Sequence, residues 1–346
     1  MLTYAFMGLL VFLIAATTLW GIWYSSDKNS FMTIDDTTFL RGFWCIIVVL
    51  VHVPAEYQNR IQDMLGSFAY IGVTFFFMTS AYGLKWSMDH KSGYMDRFWL
   101  RRLPPILIPA IIANAFEVSM KALNGNELSP LSYVNINGWV KVLLLYYLIF
   151  WLVYKILPMW IRGKKWQDAV MCLIVVSFSL IDYFTDFKIT LKWTVEPLGF
   201  AYGILAAKYA GKIREAIGKN WLAKSICLML LAGATGVAYL KFKPVHVWGD
   251  YLLKIVLGIA ITAFMYELIT KLKVGNKANA FLGRISYEVY ILHRGVFALM
   301  IAVFGYTMDS GLFVVASVAV TLILAILLKK LCEPLIKRVQ TLGSKE

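Results

Sequence analysis

Charge is scarce in this chain. Asp, Glu, Lys and Arg make up 16% of its 346 residues, where a soluble domain carries about 25%. That shortage leaves no room for a separate soluble domain. Cysteine is sparse as well. Cys45, Cys172, Cys227 and Cys332 are scattered, with no CxxC pair and no Cys/His ligand spacing, so neither a disulfide framework nor a zinc or other metal site is supported. Repeats, low-complexity tracts and long linkers are missing too, which makes the chain one continuous membrane domain.

What fills the chain instead is apolar sequence. Hydrophobic residues reach 60% and the mean hydropathy is +0.68. They come in long runs, and about 20 apolar residues is what a helix needs to cross a hydrocarbon core of about 30 Å. Within lipid every backbone polar group must be paired locally, so such runs are helices. The expected fold is therefore an all-α integral membrane bundle of about eleven spans. These lie near 4–24, 39–56, 66–86, 104–121, 138–157, 168–183, 193–209, 221–240, 249–269, 282–303 and 311–330. The first is not expected to be a cleaved signal peptide. Met1-Leu2-Thr3 carries no basic group, and the run ends in Trp20-Gly21-Ile22-Trp23-Tyr24, an interfacial aromatic pattern.

Basic residues set the orientation. Of 34 Lys and Arg, 24 fall in alternate loops and the C-terminal tail: Lys28, Lys85–Arg102, Lys155–Lys165, Lys208–Lys224, Lys271–Arg284 and Lys329–Lys345. The intervening loops hold Glu56, Asp63, Glu127, Asp182 and Asp186 with few cations. This positive-inside pattern puts the basic loops and the C-terminus in the cytoplasm and the N-terminus outside. A net charge of +14 thus reflects topology and attraction to anionic lipid rather than nucleic-acid binding.

Ionisable groups inside spans cost at least about 2.5–3.5 kcal/mol on insertion scales and are functional candidates by default. Arg41 and His52 share the second span, eleven residues apart. At about 100° per residue they return to nearly one helical face, separated by about 16–17 Å along the axis. A snorkelling arginine and a packing histidine are the plain alternatives, less satisfactory for both together. The third span holds Gly72 to Tyr82, whose aromatics read first as helix packing. Arg97, Arg101 and Arg102 follow, before Leu103-Pro104-Pro105. Three planar guanidinium forks at a membrane mouth suit a phosphorylated ligand, or serve only as topology determinants. The tenth span brings Ser286, Tyr287, Glu288, Tyr290 and His293 toward the inner half of the membrane. Glu117 and Glu196 are further intramembrane carboxylates without a legible role.

In this order the segments resemble acyltransferase family 3, the integral membrane acyltransferases. The resemblance rests on Leu40-Arg41-Gly42 with His52 eleven residues after the arginine, Gly72 to Ser80, Arg97 to Pro109, and the block Ser286 to His293. Thr38, Thr74 and Ala81 depart from the usual pattern, as does the spacing of Arg97 from Arg101-Arg102, leaving open which arginine does what. The resemblance implies a ten-helix core, here residues 31–346, with residues 1–30 forming an extra N-terminal helix. It implies transfer of an acyl group, often acetyl, from cytoplasmic acyl-CoA to a hydroxyl of an extracytoplasmic acceptor, commonly a glycan, at a bacterial inner membrane. Arg41 and His52 match the family's arginine and catalytic histidine. Arg97, Arg101 and Arg102 match its donor-binding region.

With these roles, neutral His52 would act as general base, and Ser80 or Tyr287 would stabilise the oxyanion. Ser286, Glu288 and His293 are further substrate-contact candidates. Direct transfer and an acyl-enzyme remain open. The only co-substrate expected is acyl-CoA, with no metal; the partners are the lipid bilayer, acyl-CoA and the hydroxylated acceptor, with a homodimer open. The competing reading is a proton-coupled transporter or glycan flippase relaying through His52, His293 and Glu288, although no inverted repeat is visible.

Overall fold

A computed structural model describes residues 2–25, 31–157, 166–191, 193–273 and 276–342. Several cations of the basic segments, among them Lys28, Arg162, Lys164, Lys165 and Lys345, lie outside the described residues. Helices run over Leu2–Leu19 (α1), Ile34–Leu50 (α2), Arg60–Gly66 (α3), Ala69–His90 (α4), Phe98–Leu123 (α5), Gly138–Trp151 (α6) and Gln167–Phe184 (α7). They continue over Leu198–Lys208 (α8), Ala210–Ala216 (α9), Trp221–Phe242 (α10), Lys254–Lys271 (α11), Lys277–Arg284 (α12), Ser286–Phe304 (α13) and Ser310–Leu342 (α14). Short π-helical turns extend α6 through Ile156 and precede α11 from Trp248.

The chain is an all-α polytopic membrane bundle, as its composition requires. Each predicted span falls on a helix. Nine helical stretches among the described residues are long and apolar enough to cross a membrane. The two others are shorter, α2 at 17 residues and α8 at 11. Both differences from the predicted bounds have local causes. The segment expected over 193–209 is helical only from Leu198, because Pro197 fixes the first turn and disfavours helix before it. The segment expected over 39–56 starts at Ile34, where the Thr33 side chain accepts the Asp36 N–H at 3.1 Å. It stops at Leu50, four residues before Pro54, which caps a new turn.

Side-chain contacts join the loops at two ends. At the basic end, Trp23–Tyr24 (β1) pairs antiparallel with Leu272–Lys273 (β2), a two-stranded clasp that sequence periodicity does not announce. There also Lys155 bonds Asp96 at 2.6 Å, Lys224 meets Glu267 at 3.1 Å, and Lys329 donates to the Arg284 carbonyl at 2.6 Å. At the opposite end Tyr57 donates to the Gly305 carbonyl at 2.8 Å and Asn124 to that of Ala298 at 2.8 Å. Thr3 donates to Asp309 at 2.6 Å, and that bond holds the Asp309 carboxyl below its ordinary range. The helices thus alternate in direction, and the loops rich in Lys and Arg gather at one end.

Proline and glycine fix the closest contacts. Pro105 in α5 cannot donate to the Arg101 carbonyl, and the Gln340 amide of α14 reaches that carbonyl at 3.4 Å. Gly199 and Gly203, a small-xxx-small pair, let α8 lie directly on α4. A Cβ on Gly203 would meet the Met78 carbonyl and fall 2.8 Å from the Ala81 Cβ. Without water to drive association inside lipid, such close van der Waals packing is what holds membrane helices together. Gly203→Ala should therefore cost about 1–3 kcal/mol of stability through overpacking, read as a lowered thermal midpoint in detergent. Gly233→Ala, where a Cβ meets nothing within 4 Å, should be neutral or mildly stabilising. Equal midpoints for the two variants would contradict this packing.

Candidate active site

α2, α4, α5, α6 and α13 enclose a cavity of about 320 Å³ toward the basic end. Arg41 comes from α2, Ser80 and Thr79 from α4, Arg102 from α5, Trp139 and Tyr147 from α6, and Ser286, Tyr287 and Tyr290 from α13. α2 can present Arg41 here because α12 crosses it at Gly42, where a Cβ would lie 2.5 Å from the Asn279 carbonyl oxygen. The Arg41 guanidinium turns back along its own helix, with Nε donating to the Thr37 carbonyl at 3.2 Å and Nη2 to Thr38 Oγ1 at 3.3 Å. Arg102 donates to the Tyr94 hydroxyl, from Nε at 2.7 Å. Among the described residues neither arginine has a carboxylate within 4.0 Å. Two guanidinium groups without counter-charge face one cavity, an arrangement that favours an anionic ligand.

The hydroxyls of the cavity divide by what they already do. Tyr287 donates its single proton to the Ile106 carbonyl at 2.7 Å, across the proline-rich turn of α5. Ser286 donates to the Gly283 carbonyl at 2.9 Å. Ser80 and Tyr147 share one bond of 2.7 Å, so one proton of the pair remains available.

His52 lies past the end of α2, in a tightened turn where its N–H bonds the Val49 carbonyl at 3.1 Å. The regular helix assumed for the Arg41–His52 spacing therefore ends two residues early. The last carbonyls of α2 are satisfied by side chains: Gln62 donates to Leu50 at 2.5 Å and His52 Nδ1 lies 3.0 Å from the Val48 oxygen. A carbonyl only accepts, so Nδ1 carries the proton and Nε2 keeps its lone pair in the neutral ring. Among the described residues the His52 side chain makes only the Nδ1 hydrogen bond. The imidazole packs against that of His293, with ring centroids 4.7 Å apart. His293 is 1% exposed and both of its ring nitrogens lack a hydrogen-bond partner. Trp139 Nε1 is likewise buried without a partner, and Tyr290 touches both rings, at 5.2 Å from Trp139 and 5.6 Å from His293. Partnerless buried polar atoms are rare. Three of them gather where the first cavity ends.

A second cavity of about 320 Å³ lies toward the opposite end. It is built by the same α5, α6 and α13, from Glu117, Lys121, Lys141 and Arg294 under the 128–138 loop. The Asn114 amide fastens that loop, donating to the carbonyls of Ser132 at 3.0 Å and Tyr133 at 2.8 Å. Glu117 stands 3.6 Å from Nε of Arg294, the residue after His293 in α13.

The structure thus gathers Arg41, Arg102, Ser80, Ser286 and Tyr287 around one cavity; His52 and His293 line neither cavity, and along α13 His293 falls between Tyr290 of the first lining and Arg294 of the second. Arg97 and Arg101 are exposed at the basic end, outside the cavity lining. Glu288 is buried away from the cavity, 4.0 Å from Lys329. Sequence reading missed Tyr147 and Trp139, which sit in an apolar run, and Arg294, overlooked beside His293. The groups of three or more His, Cys, Asp or Glu that a metal needs do not occur among the described residues.

Comparison with known proteins gives one match. The family model described as an acyltransferase domain matches residues 34–330, from the first residue of α2 into α14. No curated protein and no solved structure matches the chain.

The His52 geometry makes a spectroscopic prediction. Nitrogen-15 NMR of histidine-labelled protein near neutral pH should show a neutral imidazole protonated on Nδ1, and His52→Ala should remove that signal. A neutral His52 protonated on Nε2 would contradict the Val48 bond.

Proposed function

The chain belongs to acyltransferase family 3, and from that premise we propose that it carries an acyl group, acetyl in the simplest case, from cytoplasmic acyl-CoA to a hydroxyl of an extracytoplasmic glycan. The chain is a membrane acyltransferase. The reading of donor, acceptor and direction rests above all on the two arginines that face the first cavity without counter-charge, with the imidazole pair beyond them. The location we propose is a bacterial plasma membrane, with the basic end cytoplasmic by the positive-inside asymmetry.

The donor enters at the basic end. Its phosphates face Arg102 and Arg41, while the exposed Arg97 and Arg101 attract the nucleotide to the mouth. A cavity of about 320 Å³ suits the slender pantetheine arm rather than the whole of CoA, so the thioester is led inward toward the histidines. The acceptor approaches from the opposite end, and its hydroxyl meets Nε2 of His52.

In the transfer, the acceptor oxygen bonds to the thioester carbonyl carbon while Nε2 takes the hydroxyl proton. General-base assistance of this kind is typically worth about 10²–10⁴-fold. The negative charge on the carbonyl oxygen is met by the proton left free in the Ser80–Tyr147 pair, a role better suited to them than to Tyr287, whose hydroxyl already bonds Ile106. Collapse of the intermediate breaks the C–S bond, and the sulfur leaves with the proton held on His52. The products are ester and free CoA thiol, and the imidazole returns to its neutral form.

The direct test is thiol release from acetyl-CoA by purified protein. Release should require a hydroxylated acceptor and yield its acetyl ester; a transporter or flippase would leave acetyl-CoA intact. Arg102→Ala should raise the Kd for acetyl-CoA by about tenfold or more, since a hydrogen bond to a charged group contributes about 1.5–3 kcal/mol. Arg97→Ala should change it much less. Equal effects would move the donor site away from the cavity.

A further inference from the structure

The opposite end is poor in cations, yet three of those it has converge in the second cavity. Lys121, Lys141 and Arg294 line it against one carboxylate, Glu117. Positive charge at this end works against the asymmetry that sets topology, so orienting the chain does not explain it. Glu117 does not neutralise the group either. Its carboxylate is engaged by Lys121 at 2.5 Å and stands 3.6 Å from Arg294 Nε. Arg294 keeps half of its side-chain surface exposed, and a guanidinium offers five N–H donors. Lys141 is exposed too and, among the described residues, bonds only the neutral Asn135 amide. Two cations are therefore left over, one on each side of the cavity, on α13 and α6.

Position ties this charge to the chemistry. Arg294 follows His293 in α13, and the His293 ring packs on that of His52 with centroids 4.7 Å apart. A molecule held by Arg294 and Lys141 therefore has its neighbouring groups close to the imidazole pair. The walls supply amides and hydroxyls from Ser132, Asn135 and Asn137, the lining that a polyol needs.

Building on the acyltransferase reading, we propose that the second cavity selects an anionic acceptor: a carbohydrate that carries a carboxylate or phosphate beside the hydroxyl that receives the acyl group. The anion lies between Arg294 and Lys141. The hydroxyl then points toward His52, and a neutral sugar of the same shape lacks the contact that holds it there.

The test measures binding and turnover separately, on the full-length protein in detergent. Methyl glucuronoside, methyl glucoside 6-phosphate and methyl glucoside serve as probes. At least one of the two anionic sugars should bind about tenfold or more tightly than the neutral one, as expected for a charge-assisted contact, and added salt should narrow the gap. The preferred anion distinguishes carboxylate from phosphate. Arg294→Gln should erase most of the preference, and Arg294→Lys should restore part of it. Equal binding of all three sugars, no measurable binding of either anionic sugar, or a preference unaffected by Arg294→Gln would each overturn the proposal. Selective binding without acetyl-CoA consumption would refute the transferase reading while leaving the anion site standing. Equal acetylation of neutral and anionic sugars would do the reverse.

Discussion

The absence of water from the hydrocarbon core governs this molecule. A polar group drawn into the bundle must find a protein partner, because an unmet hydrogen bond there costs several kcal/mol. Nearly everywhere the chain complies. Gln62 and His52 close the end of α2, Gln340 meets a carbonyl freed by proline in α5, and Tyr287 bridges α13 to α5. Some buried polar atoms lack a partner among the described residues, Tyr146 Oη, Ser225 Oγ and Ser317 Oγ included, but four exceptions are grouped. The imidazole of His293 and the indole N–H of Trp139 have no partner, and Arg41 and Arg102 have no counter-ion. Arg41, Arg102 and Trp139 line the first cavity, and His293 lies three residues along α13 from Tyr290 of the same lining.

Packing makes that grouping. Gly42 lets α12 cross close to α2 beside Arg41, and Gly295 lets α13 lie against α5, where a Cβ would fall 2.7 Å from Phe116. With these helices close together, α5, α6 and α13 each contribute to both cavities. One turn of α13 separates Tyr290, which lines the first cavity, from Arg294, which lines the second, and His293 stands between them in the helix. The rings of Trp139, Tyr290, His293 and His52 pack on one another in series.

Much of this was legible in the residues. Long apolar runs dictated helices, and the alternation of cations predicted which loops would share an end. The positions of Arg41, Ser80, Arg102 and Ser286-Tyr287 around one cavity follow the order of the sequence blocks. What was not legible depends on contacts between distant segments. The turn at His52 depends on Pro54 and on Gln62 of a neighbouring helix, so the sequence did not show that the regular helix ends at Leu50, two residues before the imidazole. Arg97 and Arg101 cannot be told from Arg102 by spacing, because only the position of Tyr94 turns one of the three inward. The second cavity was hidden because its cations are dispersed over 121–294 in the chain. The strand pair of Trp23–Tyr24 with Leu272–Lys273 is too short for periodicity to reveal.

The central claim is that Nε2 of His52 takes the acceptor proton, and exchange of that one side chain tests it most directly. Single-turnover acetyl transfer should be measured for His52→Gln alongside acetyl-CoA binding and thermal stability. Glutamine can preserve a hydrogen bond to the Val48 carbonyl but cannot take a proton. The account predicts a folded variant that binds acetyl-CoA with ordinary affinity while transfer falls by about 10²-fold or more. Transfer within a fewfold of the parent rate would contradict the account and reduce His52 to a cap on the end of α2.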